Sequence, residues 1–231
     1  FGAKTNINTS FENPFEVYRH NIISTLSAIE IASINKANLL YLSSYIYGVP
    51  DYNPIDEKHK INPNNPYMIS KWIAEQACSN ICRQMKIPLT IFRTFNIYGS
   101  GLKEGRLISD LLQNSINNEA LKLNDPSPIR DYLYVNDFID LIFCLLNSKK
   151  SVSGVFNVGS GYSYSNLEVA QTIQKLSNSL LEIKILSKPR KNDIPVCIVN
   201  NNKINNHYNW EPKYDLIYGL KDIMKSKGRI V

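Results

Sequence analysis

The 231-residue sequence predicts an α/β fold with a mostly parallel sheet. Strand-like and helix-like segments alternate along the chain, which is typical of βαβ architecture. One strand candidate, residues 39–42, is a continuous apolar run, as expected for a strand covered on both faces. Hydrophobic residues make up 43% of the chain and charged residues 20%, so the composition is that of a globular protein with one large or two small domains.

The first half of the chain begins with polar residues 1–14, which lack periodicity and predict a loop. Residues 15–32 have helical apolar spacing and follow the start signal Asn13-Pro14. The strand at 39–42 ends at Ser43-Ser44, and a loop rich in Pro and Asn follows over 50–66. Residues 67–85 predict a long helix, because Pro66 directly before them suits helix entry.

The second half continues the alternation. Strands are predicted at 89–92, 121–123, 132–135, 155–158 and 182–186, and helices at 107–116, 136–146, 165–176 and 216–224. Asn136-Asp137 and Ser165 are the expected helix caps. Gly159-Ser160-Gly161 stops one strand, and we interpret it as a turn rather than a phosphate-binding loop.

The charge and cysteine content exclude several protein classes. The net charge is +6, but the basic residues are scattered and do not interleave with aromatic residues on one face, so we expect no nucleic-acid partner. No apolar run reaches the roughly 18 residues that cross a bilayer, and the first residues do not resemble a signal peptide. The four cysteines show neither a paired framework nor zinc spacing. We therefore expect a reduced, cytoplasmic protein with no metal site and no membrane partner.

Tyr67 and Lys71 form the sharpest local motif. Residues four apart lie on the same face of a helix, so a phenol and an ammonium would address one point. A nearby ammonium favours phenolate and is expected to lower the pKa of Tyr67 from about 10 toward neutrality. The pair would then act as an acid and base. Tyr-x-x-x-Lys is common by chance, however, and a surface turn is the alternative.

Other polar groups stand where the same ligand would bind. Ser43 ends one predicted strand, and the segment from Arg93 to Asn96 closes the next. Ligands of open α/β sheets bind at the carboxyl ends of the strands. These residues are therefore expected to share a site with Tyr67.

Five strings in the same order resemble the extended short-chain dehydrogenase/reductases, in particular the nucleotide-sugar epimerases and dehydratases. They are LSSYIYG at 42–48, PYMISK at 66–71, RTFNIYG at 93–99, IRDY at 129–132 and NVGSG at 157–161. The resemblance covers essentially the whole chain. It implies an incomplete Rossmann-type doubly wound sheet, bound NAD with NADP not excluded, and a smaller C-terminal domain that holds a nucleoside-diphosphate sugar.

The resemblance assigns catalytic roles to Ser43, Tyr67 and Lys71. Tyr67 would take the proton of a sugar hydroxyl, Ser43 would hydrogen-bond the same oxygen, and Lys71 would hold the nicotinamide ribose. Together with Tyr67 and Lys71, the implied cofactor contacts are Ala3, Asn21 and Thr94. A structural amide is an equally good interpretation of Asn21.

The resemblance also implies a set of substrate-binding residues. They are Ser44, Asn96, Arg130, Arg190 and Asp193. Arg130 lies in the Arg-Asp-Tyr motif of the family, where its guanidinium fork suits pyrophosphate oxygens. An ion pair with Asp131 or Asp137 is the alternative. Arg190 and Asp193 resemble a second anchor of the family, although a solvated basic turn fits these residues almost as well.

The Gly-rich fingerprint of the family, which binds the dinucleotide pyrophosphate, does not occur, since Gly2 is the only glycine before Gly48. The resemblance thus implies that an N-terminal portion on the order of 60–90 residues is missing. We expect such a chain alone to bind NAD poorly, to turn over slowly and to aggregate through an exposed sheet edge. The implied domains are residues 1–98 with 132–159 for the cofactor, and 99–131 with 160–231 for the nucleotide sugar.

The sequence partly distinguishes among the reaction types of this family. The dehydratases of the family have an acidic pair where Ser44 and Tyr45 stand, and the decarboxylases have Glu in place of Tyr45. A nucleotide-sugar 4-epimerase is therefore favoured. A 4-ketoreductase or dehydratase of the same family, or a non-catalytic binding module with this fold, remains the alternative.

Helix 67–85 is apolar over more than the width that one packed face needs. Its apolar residues are Ile73, Ala74, Ala77, Cys78, Ile81, Cys82 and Met85. Family members pair this helix and the preceding one, which implies a homodimer through helices 15–32 and 67–85. Cys78 and Cys82 would fill the core.

Overall fold

The computed structural model describes residues 2–148, 153–177, 180–190 and 193–227. The helices are α1 (Ile7–Glu12), α2 (Pro14–Ile34), α3 (Pro66–Gln84), α4 (Leu107–Ile116), α5 (Val135–Asn147), α6 (Asn166–Leu176), α7 (Asn202–Tyr208) and α8 (Leu216–Ser226). The strands are β1 (Leu39–Ser44), β2 (Leu89–Thr94), β3 (Asn96–Tyr98), β4 (Leu121–Leu123), β5 (Ile129–Tyr134), β6 (Gly154–Val158), β7 (Ser163–Ser165), β8 (Ile183–Ile185) and β9 (Val196–Cys197). The outer ends of the two expected domains, residues 1 and 231, lie outside the described residues.

A parallel sheet in the order β1-β2-β6 forms the centre of one unit. Helices α2 and α3 cover one face of this sheet, and α5 and α7 cover the other. The apolar run of β1 serves both faces, because Leu39 and Tyr41 pack against the α3 side while Leu40 and Leu42 pack against the α5 side. The predicted α/β fold with a parallel sheet is confirmed.

A second unit is built around β5, which pairs with β3 and β9 in parallel and with β7 in antiparallel orientation. Strands β4 and β8 form a separate parallel pair. Helices α4, α6 and α8 pack together with these strands around one apolar cluster. Strand β5 contributes to this cluster and leads directly into α5, which covers the central sheet. It therefore connects the second unit to the first.

Two helix starts follow from local sequence as predicted. Asn65 caps α3 with its side chain, which accepts a hydrogen bond from Met68 N at 2.9 Å, and Pro66 occupies the first turn. Ser165 caps α6 in a capping box with Glu168, in which each side chain bonds the backbone N–H of the other residue.

Two local predictions are wrong. Residues 7–12, expected within a loop, form α1, whose N-cap Asn6 accepts from Thr9 N. Asn136-Asp137 does not cap α5, which already begins at Val135. The buried carboxylate of Asp137 instead accepts from Lys213 N at 2.8 Å and Tyr214 N at 3.2 Å, so it fastens a distant loop.

The other elements that the sequence did not predict are also short. They are β3, β7, β9 and α7, of two to seven residues each. No periodicity develops over such lengths, and their partners fix them instead. Within the described ranges, no helix is both long and apolar enough to cross a membrane.

Candidate active site

A cleft of ≈ 590 Å³ opens at the carboxyl ends of β1 and β2, between α3, α4 and the Arg130 end of β5. It brings together most of the polar residues that the sequence singled out. Its walls include Ser44, Tyr67, Thr94, Asn96, Arg130, Arg190 and Asp193. The other four candidates, Ala3, Asn21, Ser43 and Lys71, do not line it. The cleft therefore has the predicted position but not every predicted member.

Tyr67 lies in the first turn of α3 and faces this cleft. Burial raises the pKa of its phenol, while the neighbouring Ser44 side chain and the charge of Arg106 lower it. The net direction is upward, so the expected lowering of the Tyr67 pKa is wrong. Desolvation of the phenolate outweighs the cations within reach.

Lys71 lies one turn after Tyr67 and is only 5% exposed. Its ammonium stands over the ring of Tyr41, 4.3 Å from the centroid. Burial lowers the pKa of Lys71 to about 8, against the charges of Cys78 and Glu75, which raise it. The ammonium is thus held behind the cleft wall by an aromatic ring rather than by a carboxylate contact.

Ser43 is turned away from the cleft into a buried polar network. Its Oγ donates to Glu75 Oε2 at 2.7 Å, and Glu75 also receives both Nε and Nη2 of Arg93, at 3.3 and 2.5 Å. Arg93 Nη1 donates to Tyr47 Oη at 3.0 Å, and Tyr47 donates to Asn157 Oδ1. The neighbouring Ser44 is the serine that reaches the cleft.

The remaining cofactor candidates have partners within the chain. Asn21 Nδ2 donates to Lys4 O and Ser70 Oγ, and its Oδ1 accepts from Lys4 N at 2.8 Å. This is the structural amide that the sequence allowed. Thr94 Oγ1 donates to Ser43 O at 3.1 Å while the residue lines the cleft. Ala3 lies half-buried in the segment before α1.

Arg130 marks the other end of the cleft. Its Nη2 contacts Asp193 Oδ1 at 2.7 Å, and its Nη1 donates to Ile129 O at 2.9 Å. The partner is therefore Asp193, so the alternative pairing with Asp131 or Asp137 is wrong. Arg190 lines the same end. Lys191 and Asn192, inside the predicted second anchor, lie outside the described residues.

Asp131 explains the glycines that follow β6. Its carboxylate accepts from Ser160 N, Ser160 Oγ and Gly161 N at 2.7, 3.1 and 2.8 Å. A Cβ on Gly159 would lie 2.7 Å from Asp131 Oδ1, so this position has no room for a side chain. Residues 159–161 therefore form a turn around the carboxylate of Asp131, in agreement with the prediction of a turn from the sequence. Asn96 Nδ2 donates to Asp131 O at 3.0 Å and is fixed by the same residue.

Several residues of the cleft were not assigned roles from the sequence. They are Thr5, Asn6, Ile7, Asn8, Tyr45, Lys103, Arg106 and Lys122. Arg106 donates to Thr5 Oγ1 at 2.6 Å across the cleft rim. No motif marks these residues, because their proximity arises from tertiary packing. Tyr45 had a signal, since it lies within the string LSSYIYG. In the part of the chain that the structure describes, no three His, Cys, Asp or Glu residues are placed to hold a metal ion.

The buried Glu75–Arg93 pair yields a stability prediction. Glu75→Ala would leave a guanidinium that is 5% exposed without its carboxylate. We expect a loss of about 3–5 kcal/mol in the free energy of unfolding, measured by urea denaturation. The matched control is Asp140→Ala, which breaks the exposed Lys213–Asp140 pair and is expected to cost at most about 1 kcal/mol. Equal losses in the two variants would contradict the prediction.

Asp131 yields a pH prediction. Burial raises the pKa of its carboxyl to about 7, although the three donors oppose this shift. The folded protein then holds this proton more tightly than the unfolded chain does. The contribution of Asp131 to the free energy of unfolding should therefore fall as pH rises from about 4 to about 7.

Asp131→Asn removes this titration. The stability of wild type relative to this variant should therefore decrease between pH 4.5 and pH 8, by roughly 2–4 kcal/mol in urea titrations. An increase over the same interval would show that the donors dominate and that the carboxyl pKa is low.

Comparisons with known proteins identify the family of the chain. A sequence profile described as the NAD dependent epimerase/dehydratase family matches residues 1–159. UDP-glucose 4-epimerase of Lactobacillus helveticus is 28% identical over 93% of this chain and 71% of its own length. UDP-glucuronic acid decarboxylase 3 of Arabidopsis thaliana is 30% identical over 90% of this chain and 63% of its own length.

The fold has close structural relatives. The crystal structure of UDP-glucuronic acid 4-epimerase from Bacillus cereus, in complex with UDP-glucuronic acid and NAD, superimposes with a TM-score of 0.91. It is 23% identical and covers 98% of this chain and 74% of that one, which shows a shared fold. With the profile spanning well over half of the sequence, the chain belongs to the NAD dependent epimerase/dehydratase family.

Proposed function

We propose that this protein is a nucleotide-sugar 4-epimerase that acts through transient NAD-dependent oxidation at C4. The observation that carries the proposal is one cleft with a phenol, Tyr67, on one wall and two guanidinium groups, Arg130 and Arg190, at the other end. A nucleotide sugar offers a matching pair of features, an oxidisable hydroxyl and a diphosphate separated by a sugar ring. Relatives named UDP-glucose 4-epimerase support this choice of reaction.

The residues near the start of α3 fit the nicotinamide ribose of NAD. Lys71 presents a buried ammonium whose neighbouring carboxylate, Glu75, is already engaged by Arg93 and Ser43. This ammonium has three N–H donors, so it can donate hydrogen bonds to the hydroxyls of a ribose. Tyr67, Lys71 and Thr94 would therefore hold this end of the cofactor, with Ala3 from the segment before α1 and Asn21 from α2, which bonds Ser70 of α3. The chemistry that bound NAD supplies is removal of a hydride at C4 and its return.

Tyr67 would exchange the proton of the C4 hydroxyl. Its raised pKa means that the phenol keeps its own proton at neutral pH until positive charge or a hydrogen-bonded ligand is added. Arg106, whose charge already acts on the phenol, and Lys71, one helical turn after Tyr67, would supply positive charge. Ser44 would contact the reacting oxygen from the cleft, while Ser43 supports the strand end through Glu75.

At the other end, Arg130 and Arg190 would receive the diphosphate. Asp193 contacts Arg130, and its carboxylate would have to give way to the phosphate and could then accept from a ligand hydroxyl. Asn96 would contribute polar contacts along the floor of the cleft. We also propose that residues 1–98 with 132–159 serve the cofactor, and 99–131 with 160–231 the nucleotide sugar.

The alternatives differ in what happens after oxidation. A dehydratase needs acidic groups beside Tyr67, and Ser44 and Tyr45 are not acidic. A 4-ketoreductase would consume reduced cofactor in equal amount to its product, whereas an epimerase leaves the cofactor as it started. A binding module would hold the nucleotide sugar without changing it.

The test is C4 inversion. The protein is incubated with NAD and UDP-galactose, cofactor occupancy is measured first, and UDP-glucose is followed by proton NMR. A high protein concentration is used so that slow turnover is also detected. Tyr67→Phe should lower the rate by about 10²–10⁴-fold, since it removes the group that exchanges the proton.

Tyr162→Phe, an exposed tyrosine outside the cleft, is the matched control and should turn over like wild type. Accumulation of NADH together with a 4-keto sugar, in place of UDP-glucose, would favour the ketoreductase acting in reverse. No turnover by wild type with NAD verified as bound would favour the binding module and contradict the epimerase.

We propose further that the protein is a homodimer through residues 15–32 and 67–85. Helices α2 and α3 cover one sheet face and still expose large apolar side chains to solvent. On α2 these are Phe15, Ile23, Leu26, Ile31 and Ile34, and on α3 they are Trp72 and Ile73. Such a two-helix surface suits packing against the same surface of a second copy.

Sedimentation velocity tests the dimer. Wild type should sediment as a dimer and Ile23→Glu, which places a charge on the exposed α2 surface, as a monomer. Phe143→Glu alters an equally exposed apolar residue on α5, across the sheet, and should stay dimeric. A monomeric wild type, or dissociation caused only by Phe143→Glu, would contradict the proposal.

A further inference from the structure

Tyr45 is one of four aromatic residues of the cleft, with Phe95, Tyr98 and Tyr132, to which the chemistry described above gives no role. It follows the Ser43-Ser44 end of β1 and lines the cleft together with Tyr67 and Arg130. It also lines the small adjoining cavity beside Asp193. The residue thus stands where the walls from α3 and from the Arg130 end of β5 approach each other.

The ring of Tyr45 is held from behind by apolar packing. Its centroid lies 5.5 Å from that of Phe95, and the ring packs on the buried cluster that includes Met68 and Ile194. Such packing fixes the ring orientation before any ligand arrives. A preorganised aromatic surface binds at low entropic cost.

The electrostatic neighbours of Tyr45 define its position along the cleft. They include Arg130, Asp193 and Tyr67, and Tyr45 shares the cleft wall with all three. Burial raises the pKa of Tyr45 to about 12, so the side chain is a neutral phenol at physiological pH. Tyr45 therefore lies near both the group that would act on the sugar and the group that would bind its diphosphate.

We propose that Tyr45 determines specificity for the sugar, its ring forming the surface on which the apolar face of the hexose packs. The proposal rests on the proposed function, because it takes the sugar to lie between Tyr67 and Arg130. A neutral aromatic surface favours an uncharged hexose ring and leaves the diphosphate to the guanidinium groups. Tyr45 would thus affect binding of the sugar but not of the nucleotide alone.

Isothermal titration calorimetry with UDP and with UDP-glucose tests this separation. Specificity is read as the ratio of the two Kd values, a difference of affinities in which effects on the nucleotide cancel. Tyr45→Ala should weaken UDP-glucose binding about tenfold and leave UDP binding unchanged. Tyr45→Phe keeps the ring and should keep the wild-type ratio.

Unchanged UDP affinity in Tyr45→Ala also shows that the cleft is still formed. Tyr162→Ala, which removes an exposed ring outside the cleft, should leave both Kd values as in wild type. An unchanged ratio in Tyr45→Ala, an equal loss for both ligands, or a loss in Tyr45→Phe as large as in Tyr45→Ala would each overturn the proposal. Wild type that binds neither ligand would instead refute the proposed function, and the Tyr45 assignment with it.

Discussion

The buried ion pair of Glu75 and Arg93 is the interaction on which the carboxyl edge of the central sheet depends. It joins α3 to β2, and through Ser43, Tyr47 and Asn157 it extends to β1, the following loop and β6. A buried pair of this kind is tolerable only when its remaining donors and acceptors are satisfied, and here both carboxylate oxygens are. The start of α3, with Tyr67, is thereby held at a fixed place beside the strand ends.

The Glu75–Arg93 pair also determines the electrostatic surroundings of Lys71, the proposed partner of Tyr67. Glu75 is committed to Arg93, so Lys71 has an aromatic ring for its close neighbour and a lowered pKa. Burial raises the pKa of the Tyr67 phenol. Phenol and ammonium are therefore both shifted toward their neutral forms by burial. At neutral pH the phenol of Tyr67 therefore keeps its proton, whereas Lys71, with a pKa of about 8, still carries most of its positive charge.

The sequence predicted the architecture well because its signals were long or chemically distinct. The run at Leu39–Leu42 and the helices after Pro66 and Ser165 carry their periodicity and caps locally. The position of Tyr67 in the cleft followed from strand ends meeting at one edge. What failed depends on distant partners: Asp137 looked like a cap but bonds the backbone near Lys213, and Arg130 pairs with Asp193, 63 residues away in sequence. The direction of the Tyr67 pKa failed because spacing reports a neighbouring charge but not desolvation.

The contact between Arg130 and Asp193 has a consequence for any anion that enters the cleft. The guanidinium already has a carboxylate at 2.7 Å, so an incoming phosphate has to displace an internal competitor before it gains this contact. A lone monoanion gains little from such an exchange, whereas a diphosphate that also reaches Arg190 gains a second cation. Arg130 and Asp193 therefore neutralise each other, and an anion that reaches both Arg130 and Arg190 would gain more from displacing Asp193 than one that reaches Arg130 alone.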